Sequence, residues 1–153
     1  MATTVTAADL TVTITESYSL NGVSYGNTTN KTFTSNGEVI QRIMTIAAQA
    51  RGNNWTNIIN FGAADAAGIA DITNYKYFRI KNLDDTNFLE LRVTGTADSF
   101  FVKIKAGETF LLMDNEIDAE QSSTTVGTLT DITQIGANAN TDAVDIEFIL
   151  VTA

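Results

Sequence analysis

A chain of 153 residues with a 44% hydrophobic share has room for one domain with a substantial core. It contains no Cys, His or Pro, which removes disulfides, thiolate chemistry, the usual general base near neutral pH and the commonest transition-metal ligand. Nine cations against eighteen acids leave a net charge of −9, so no nucleic-acid partner is expected. "MATTVTAADL" carries no basic or apolar segment of the secretory kind, and no apolar run approaches membrane-spanning length, so neither a signal nor a membrane partner is expected.

"LTVTITESYSL" sets Leu10, Val12 and Ile14 against Thr11, Thr13 and Thr15, and a period of two over this length predicts a half-buried strand. Asn21-Gly22 is the strongest short hairpin signal. "VSYGNTTNKTFT" reads as the return strand, with Gly26 the place in it for a bulge. Asn36-Gly37 predicts a second such turn into "EVIQRIMTIAAQA". There Ile40, Met44 and Ala47 fit a helix, while Ile40, Arg42, Met44 and Ile46 fit a strand face. The β-branched residues and the preceding turn favour the strand. "RGNNWTNIINFG" reads as a turn and a short strand centred on Ile58 to Phe61. Ala63 to Thr73 reads as a loop with room for one helical turn, which Gly68 weakens.

The clearest alternation follows. Phe78 and Ile80 alternate with Tyr77, Arg79 and Lys81; Leu89, Leu91 and Val93 alternate with Phe88, Glu90 and Arg92; Phe100, Val102 and Ile104 alternate with Phe101, Lys103 and Lys105. With the Asp84-Asp85 turn, the Gly95–Asp98 turn and "AGE" before "TFLLM", this predicts a four-strand meander. "DNEIDAEQSSTT" reads as a surface loop. "GTLTDITQI" and "DAVDIEFILV" read as the last two strands, joined by the loop "GANANT", with Val144, Ile146, Phe148 and Leu150 as the final buried face. About nine short strands between turn signals predict a single-domain, all-β fold over residues 1–153, a jelly-roll-like antiparallel β-sandwich.

Several groups are candidates for function. In a meander, Arg79, Lys81, Arg92, Lys103 and Lys105 would share one sheet face. That face is either an ordinary solvated surface or a docking patch for an acidic partner. Residues 1–75 carry three cations and five acids, residues 76–105 six and four, and residues 106–153 none and nine. The nearest acidic partner is therefore the last third of a neighbouring copy. Trp55, the single tryptophan, is either packing or an interface anchor or sugar platform. Asp114, Glu116 and Asp118 alternate faintly like a calcium loop, but lack the glycine and terminal Glu of an EF-hand. Asp145 and Glu147 stand on one side of one strand, as glycosidase carboxylates do and as any solvent-facing strand of an acidic protein also does. Asn27, Asn30 and Asn54 begin glycosylation triplets that a chain rich in Thr and Asn produces by chance. No catalytic motif is present, so no enzyme, cofactor or metal is expected.

"TTVTAADLTVTITESYSLNG", "YFRIKNLDDTNFLELRV", "FFVKIKAGETFLL" and "TDAVDIEFILVTA" together resemble small virion-associated proteins of marine tailed bacteriophages, cyanophages among them. The resemblance covers nearly the whole chain and rests on β-hairpin phrases. It implies an all-β virion structural protein, a capsid decoration or cement subunit that contacts the major capsid protein or other virion proteins. It assigns no residue-level site. Arg79, Lys81, Arg92, Lys103 and Lys105 are the contact residues expected from the charge pattern, with Trp55 as a candidate anchor beside them, and a homo-oligomer, first of all a trimer, is the expected state. The alternative is a tail, collar or fibre component with a carbohydrate-binding sandwich.

Overall fold

The computed structural model describes residues 6–50, 54–62, 70–96, 99–118, 127 and 129–153. The fold is all-β, with no helix among the described residues. β1 (Ala8–Leu20) and β2 (Val23–Asn36) pair only with each other. The body follows: β3 (Glu38–Ile46), β4 (Thr56–Gly62), the two-residue β5 (Ala70–Asp71), β6 (Tyr75–Asn82), β7 (Leu89–Gly95), β8 (Ser99–Ile104), β9 (Thr109–Leu112), the two-residue β10 (Glu116–Ile117), β11 (Thr130–Ala139) and β12 (Val144–Thr152). One sheet runs β3-β12-β6-β9. The other runs β5-β4-β11-β7-β8, with β10 also on β11.

Counted in chain order, the eight longer strands of the body stand 1-8-3-6 in one sheet and 2-7-4-5 in the other. Successive strands change sheet, except for the β7–β8 hairpin. This wrapping of two Greek keys is the jelly roll. The residues that alternate inward close one core. Phe78 and Ile80 from β6 and Val144, Ile146, Phe148 and Leu150 from β12 meet Leu89, Leu91, Val93, Ile104, Ile132 and Ile135 from the facing sheet. Tyr75 closes one end, donating its hydroxyl to Leu112 O at 2.7 Å. Burial, with the Asp114 carboxylate nearby, holds that hydroxyl above the ordinary tyrosine range.

The expected four-strand meander is not formed. Of its successive strands only β7 and β8 pair; β6 and β9 pair with each other in the opposite sheet. The segment after Asn82 is a crossing between sheets, not a hairpin turn. Asn82 is fully buried and donates to Asn87 O at 2.9 Å and Ile104 O at 3.2 Å, while its Oδ1 accepts from Asp84 N. Asp84 then accepts from the N–H groups of Thr86 and Asn87 at 2.7 and 2.5 Å. These polar side chains satisfy the backbone that a hairpin ladder would otherwise satisfy.

Other local expectations change for similar reasons. Asn36-Gly37 joins strands of different sheets. Asn36 Nδ2 donates to Ala8 O and Phe33 O and ties the root of the first hairpin, while Gly37 N donates to Thr152 O. Gly26 sits in unbroken register opposite Ser17 and makes no bulge. "GANA" of the expected loop 136–141 continues β11 into the core, with Ala137 and Ala139 buried. Within "DNEID", Glu116 and Ile117 form β10. Residues 63–69 and 119–126, which hold most of two other expected loops, lie outside the described residues.

β1 is not half-buried along its length. Leu10 and Val12 pack with Phe33, Tyr77, Val151, Ile149 and Leu111 on the outer face of the four-stranded sheet. From Thr13 round to Thr32 every residue is exposed. The hairpin is therefore an arm, rooted on the sandwich and projecting about 25 Å at the usual rise of a strand.

Candidate functional site

The arm is two-faced because strand side chains alternate and antiparallel partners share a face. Its register pairs Leu10 with Phe33, Val12 with Lys31, Ile14 with Thr29, Glu16 with Asn27, Tyr18 with Tyr25 and Leu20 with Val23. All the large apolar residues of the hairpin thus lie on one face. The opposite face is Thr11, Thr13, Thr15, Ser17 and Ser19 against Thr32, Asn30, Thr28, Gly26 and Ser24. There Thr11 and Thr32 share a hydrogen bond at 3.2 Å, and Thr15 and Thr28 one at 3.4 Å. At the tip Asn21 and Gly22 both have positive φ, 51° and 80°, as a twist-matched two-residue turn requires. The Tyr18 and Tyr25 rings stack at 5.2 Å. Yet Ile14, Tyr18, Leu20, Val23 and Tyr25 remain 41 to 61% exposed, five of the eleven exposed large hydrophobics among the described residues.

The expected cationic face is divided between the two outer surfaces of the sandwich, because β6 and β7 belong to different sheets. Arg79 and Lys81 stand on the four-stranded sheet. β12 lies beside them, with Ile149 opposite Arg79 and Glu147 opposite Lys81. Arg79 donates to Glu147 Oε1 at 3.1 Å, and Gln41 donates to the same oxygen at 2.8 Å. Thr45 donates to Asp145 at 2.6 Å. Acids that are segregated along the sequence are neighbours of the cations in space. The Asp145–Glu147 pair lies on a central strand and is held by cross-strand donors.

Arg92 and Lys103 stand on the other outer surface, where the structure brings Trp55 to them. Gly136 lies opposite Arg92 on β11, and a Cβ there would meet Trp55 Cβ at 3.4 Å. The missing side chain leaves room for the indole to lie across the strand. Its ring reaches Phe101 at 5.5 Å and lies under the Arg92 guanidinium at 5.8 Å. Arg92 is held from below by Thr94 Oγ1 at 2.8 Å. Lys103 lies over Phe88 at 3.9 Å and opposite Glu90 in register. Lys105 belongs to neither surface; it sits in the β8–β9 turn with its ammonium 3.9 Å from Glu108. Sequence reasoning missed the Trp55–Arg92–Phe101 contact, which depends on Gly136, a residue read as loop.

Asp114 accepts from Glu116 N at 3.1 Å and closes a turn. Among the described residues no three acidic groups gather as metal ligands do. No protein-family model, curated protein or solved structure matches the chain.

Proposed function

We propose that this protein is a structural subunit of a virus particle, a bacteriophage capsid decoration or cement protein that works through repeated contacts with copies of itself and with a major capsid protein. The observation that carries the reading is the arm. An isolated two-stranded ribbon is marginal in water. One that keeps its aromatic and aliphatic residues on a single uncovered face is built to be completed by another molecule. Many equivalent weak contacts on a shell then add up through avidity. The resemblance to virion-associated proteins supports the same reading, and a jelly roll suits it, although that fold serves both capsid and sugar-binding proteins. The role needs no cofactor.

The test is particle occupancy. Tyr18→Ser, Leu20→Thr and Tyr25→Thr together should abolish incorporation into capsids while the body keeps its thermal transition. Undiminished occupancy, or absence of the wild-type protein from purified capsids, would overturn the reading.

The cluster of Trp55, Phe101 and Arg92 on the six-stranded sheet favours a second reading, a tail or fibre module that binds host-surface carbohydrate. Aromatic rings beside Asn, Gln and Arg side chains suit sugar hydroxyls and pyranose faces. Quenching or a shift of the single tryptophan's emission on titration with host polysaccharide would support it, and an unchanged spectrum would remove it.

A further inference from the structure

The arm's own chemistry identifies its partner. We propose that the apolar face of the arm is covered by the same face of the arm of a second copy, in an antiparallel, two-fold pair; this rests on the assembly reading above and specifies one of its contacts.

The size of the patch argues for it. The five exposed side chains on one arm present on the order of 500 Å² of largely apolar surface. Two such faces laid together remove about 1,000 Å², the lower bound for a specific interface. Nothing else described on the body matches it: Val39 and Ile43 stand on β3 with Gln41 between them on the same face, and Leu83, Phe101, Met113 and Leu129 lie elsewhere in the chain. An arm laid on polar surface would leave half of that area unmatched.

Charge sets the direction. The chain as a whole carries −9, while residues 13–32 carry one acid, Glu16, and one cation, Lys31. Two bodies repel each other, but two arms do not. Antiparallel arms place the bodies at opposite ends of the ribbon pair, separated by more than the screening length of about 8 Å at physiological salt. Parallel arms would bring the bodies together.

Register makes the fit reciprocal. An antiparallel overlap that covers every exposed row sets Ile14 of one arm against Leu20 and Val23 of the other. It sets Tyr18 and Tyr25 against Glu16 and Asn27, whose side-chain oxygens can accept from the phenol hydroxyls. The same contacts recur across the axis, so the pair closes and does not polymerise. The Thr, Ser and Asn face stays in water. The trimer expected from the sequence gives way, in this proposal, to a dimer.

The experiment uses the full chain and sedimentation equilibrium across a concentration and salt series. The expected result is a monomer–dimer equilibrium that tightens as salt is raised from low ionic strength, where the screening length of about 30 Å spans the two bodies, to physiological salt, the opposite sign to docking through a cationic face. Tyr18→Ser should weaken it about thirtyfold, and Thr15→Ser, on the polar face, should leave it unchanged. Because the chain lacks Cys, Asn27→Cys and Thr28→Cys give face-specific probes. A short bismaleimide should join Asn27→Cys into dimers and leave Thr28→Cys monomeric. A wild type that stays monomeric at high concentration, yet loses capsid occupancy when the arm face is made polar, overturns the arm pairing and leaves the assembly reading standing. A dimer indifferent to Tyr18→Ser also overturns the pairing.

Discussion

The body and the arm use one grammar, strands with apolar residues at every second position, and reach opposite outcomes. In β7 the inward residues Leu89, Leu91 and Val93 are fully buried because a second sheet lies across from them. In β1 the equivalent residues are partly buried only as far as Val12, where the outer face of the four-stranded sheet ends its cover. Alternation therefore specifies which side of a strand is apolar, and the surroundings decide whether that side is dry. Hydrogen bonding differs too. β7, β11, β12 and β6 each have a neighbour on both edges, whereas the arm strands have one. The body has a covered core and strands paired on both edges, whereas the arm has one pairing and an apolar face open to solvent.

The sharpest way to break this comparison is to remove the same kind of residue from each region. Leu91→Ala deletes a fully buried side chain between the sheets. It should cost about 2–5 kcal/mol of unfolding free energy, seen as a lower urea midpoint with little change in slope. Tyr18→Ala on the arm should change the unfolding free energy of the monomer by no more than about 0.5 kcal/mol. Equal losses would show that the arm folds as part of the core.

Next in size is the crossing that separates the strands of the two sheets. Asn82 is fully buried, and its amide holds three backbone groups. Asn82→Ala leaves those groups without partners in the interior and should cost about 1–3 kcal/mol. Asn82→Asp replaces the donating amide with a carboxylate and should cost more, with a loss that deepens as pH rises above the carboxylate range. A neutral Asn82→Ala would mean that water replaces the amide and that the crossing does not depend on this residue.

The same residue marks what was legible in the sequence. Fold class, the Asn21-Gly22 turn and the inward residues of β6, β7, β8 and β12 follow from local rules, because pleating and turn conformation act over a few residues. The partner of each strand did not follow. "LDDTN" carries the composition of a hairpin turn, and nothing local shows that buried Asn82 sends the chain to the other sheet. That one decision divides Arg79 and Lys81 from Arg92 and Lys103, and it places Glu147 beside Arg79. The Trp55 cluster was hidden for a related reason: Gly136 matters only once β4, β11 and β7 are neighbours. The arm was half legible. Its two faces can be read from the sequence, but its lack of cover is a property of what lies around it.

A smaller effect tests whether the cations serve the body or a partner. Arg79 and Glu147 are about a quarter exposed, at 25 and 22%. A double-mutant cycle of Arg79→Met with Glu147→Gln should give a coupling of no more than about 1 kcal/mol, falling as salt is added. The association of copies should be indifferent to Arg79→Met. Coupling well above that range would make the pair part of the scaffold. Loss of association in Arg79→Met would return the cations to the interface and count against the arm.

The smallest effect is a pH dependence confined to the crossing. The N–H groups of Asn87 and Thr86 hold the Asp84 carboxyl below the ordinary carboxylate range. A folded-state value below the unfolded one means that, on acidification, the unfolded chain takes up this proton first. The contribution of Asp84 is then complete above the unfolded value of about 3.9 and is lost as pH falls through the lower folded value. Stability should therefore rise with pH across that window, and Asp84→Asn, which keeps an acceptor oxygen but cannot titrate, should flatten the rise. Carboxyl-carbon chemical shifts recorded on the folded protein would place the Asp84 midpoint directly. A midpoint at or above the ordinary value would mean that the loop N–H groups do not favour the charged form. Changes confined to the arm, such as Tyr18→Ser, should leave this slope as it is, because the titrating loop belongs to the body alone.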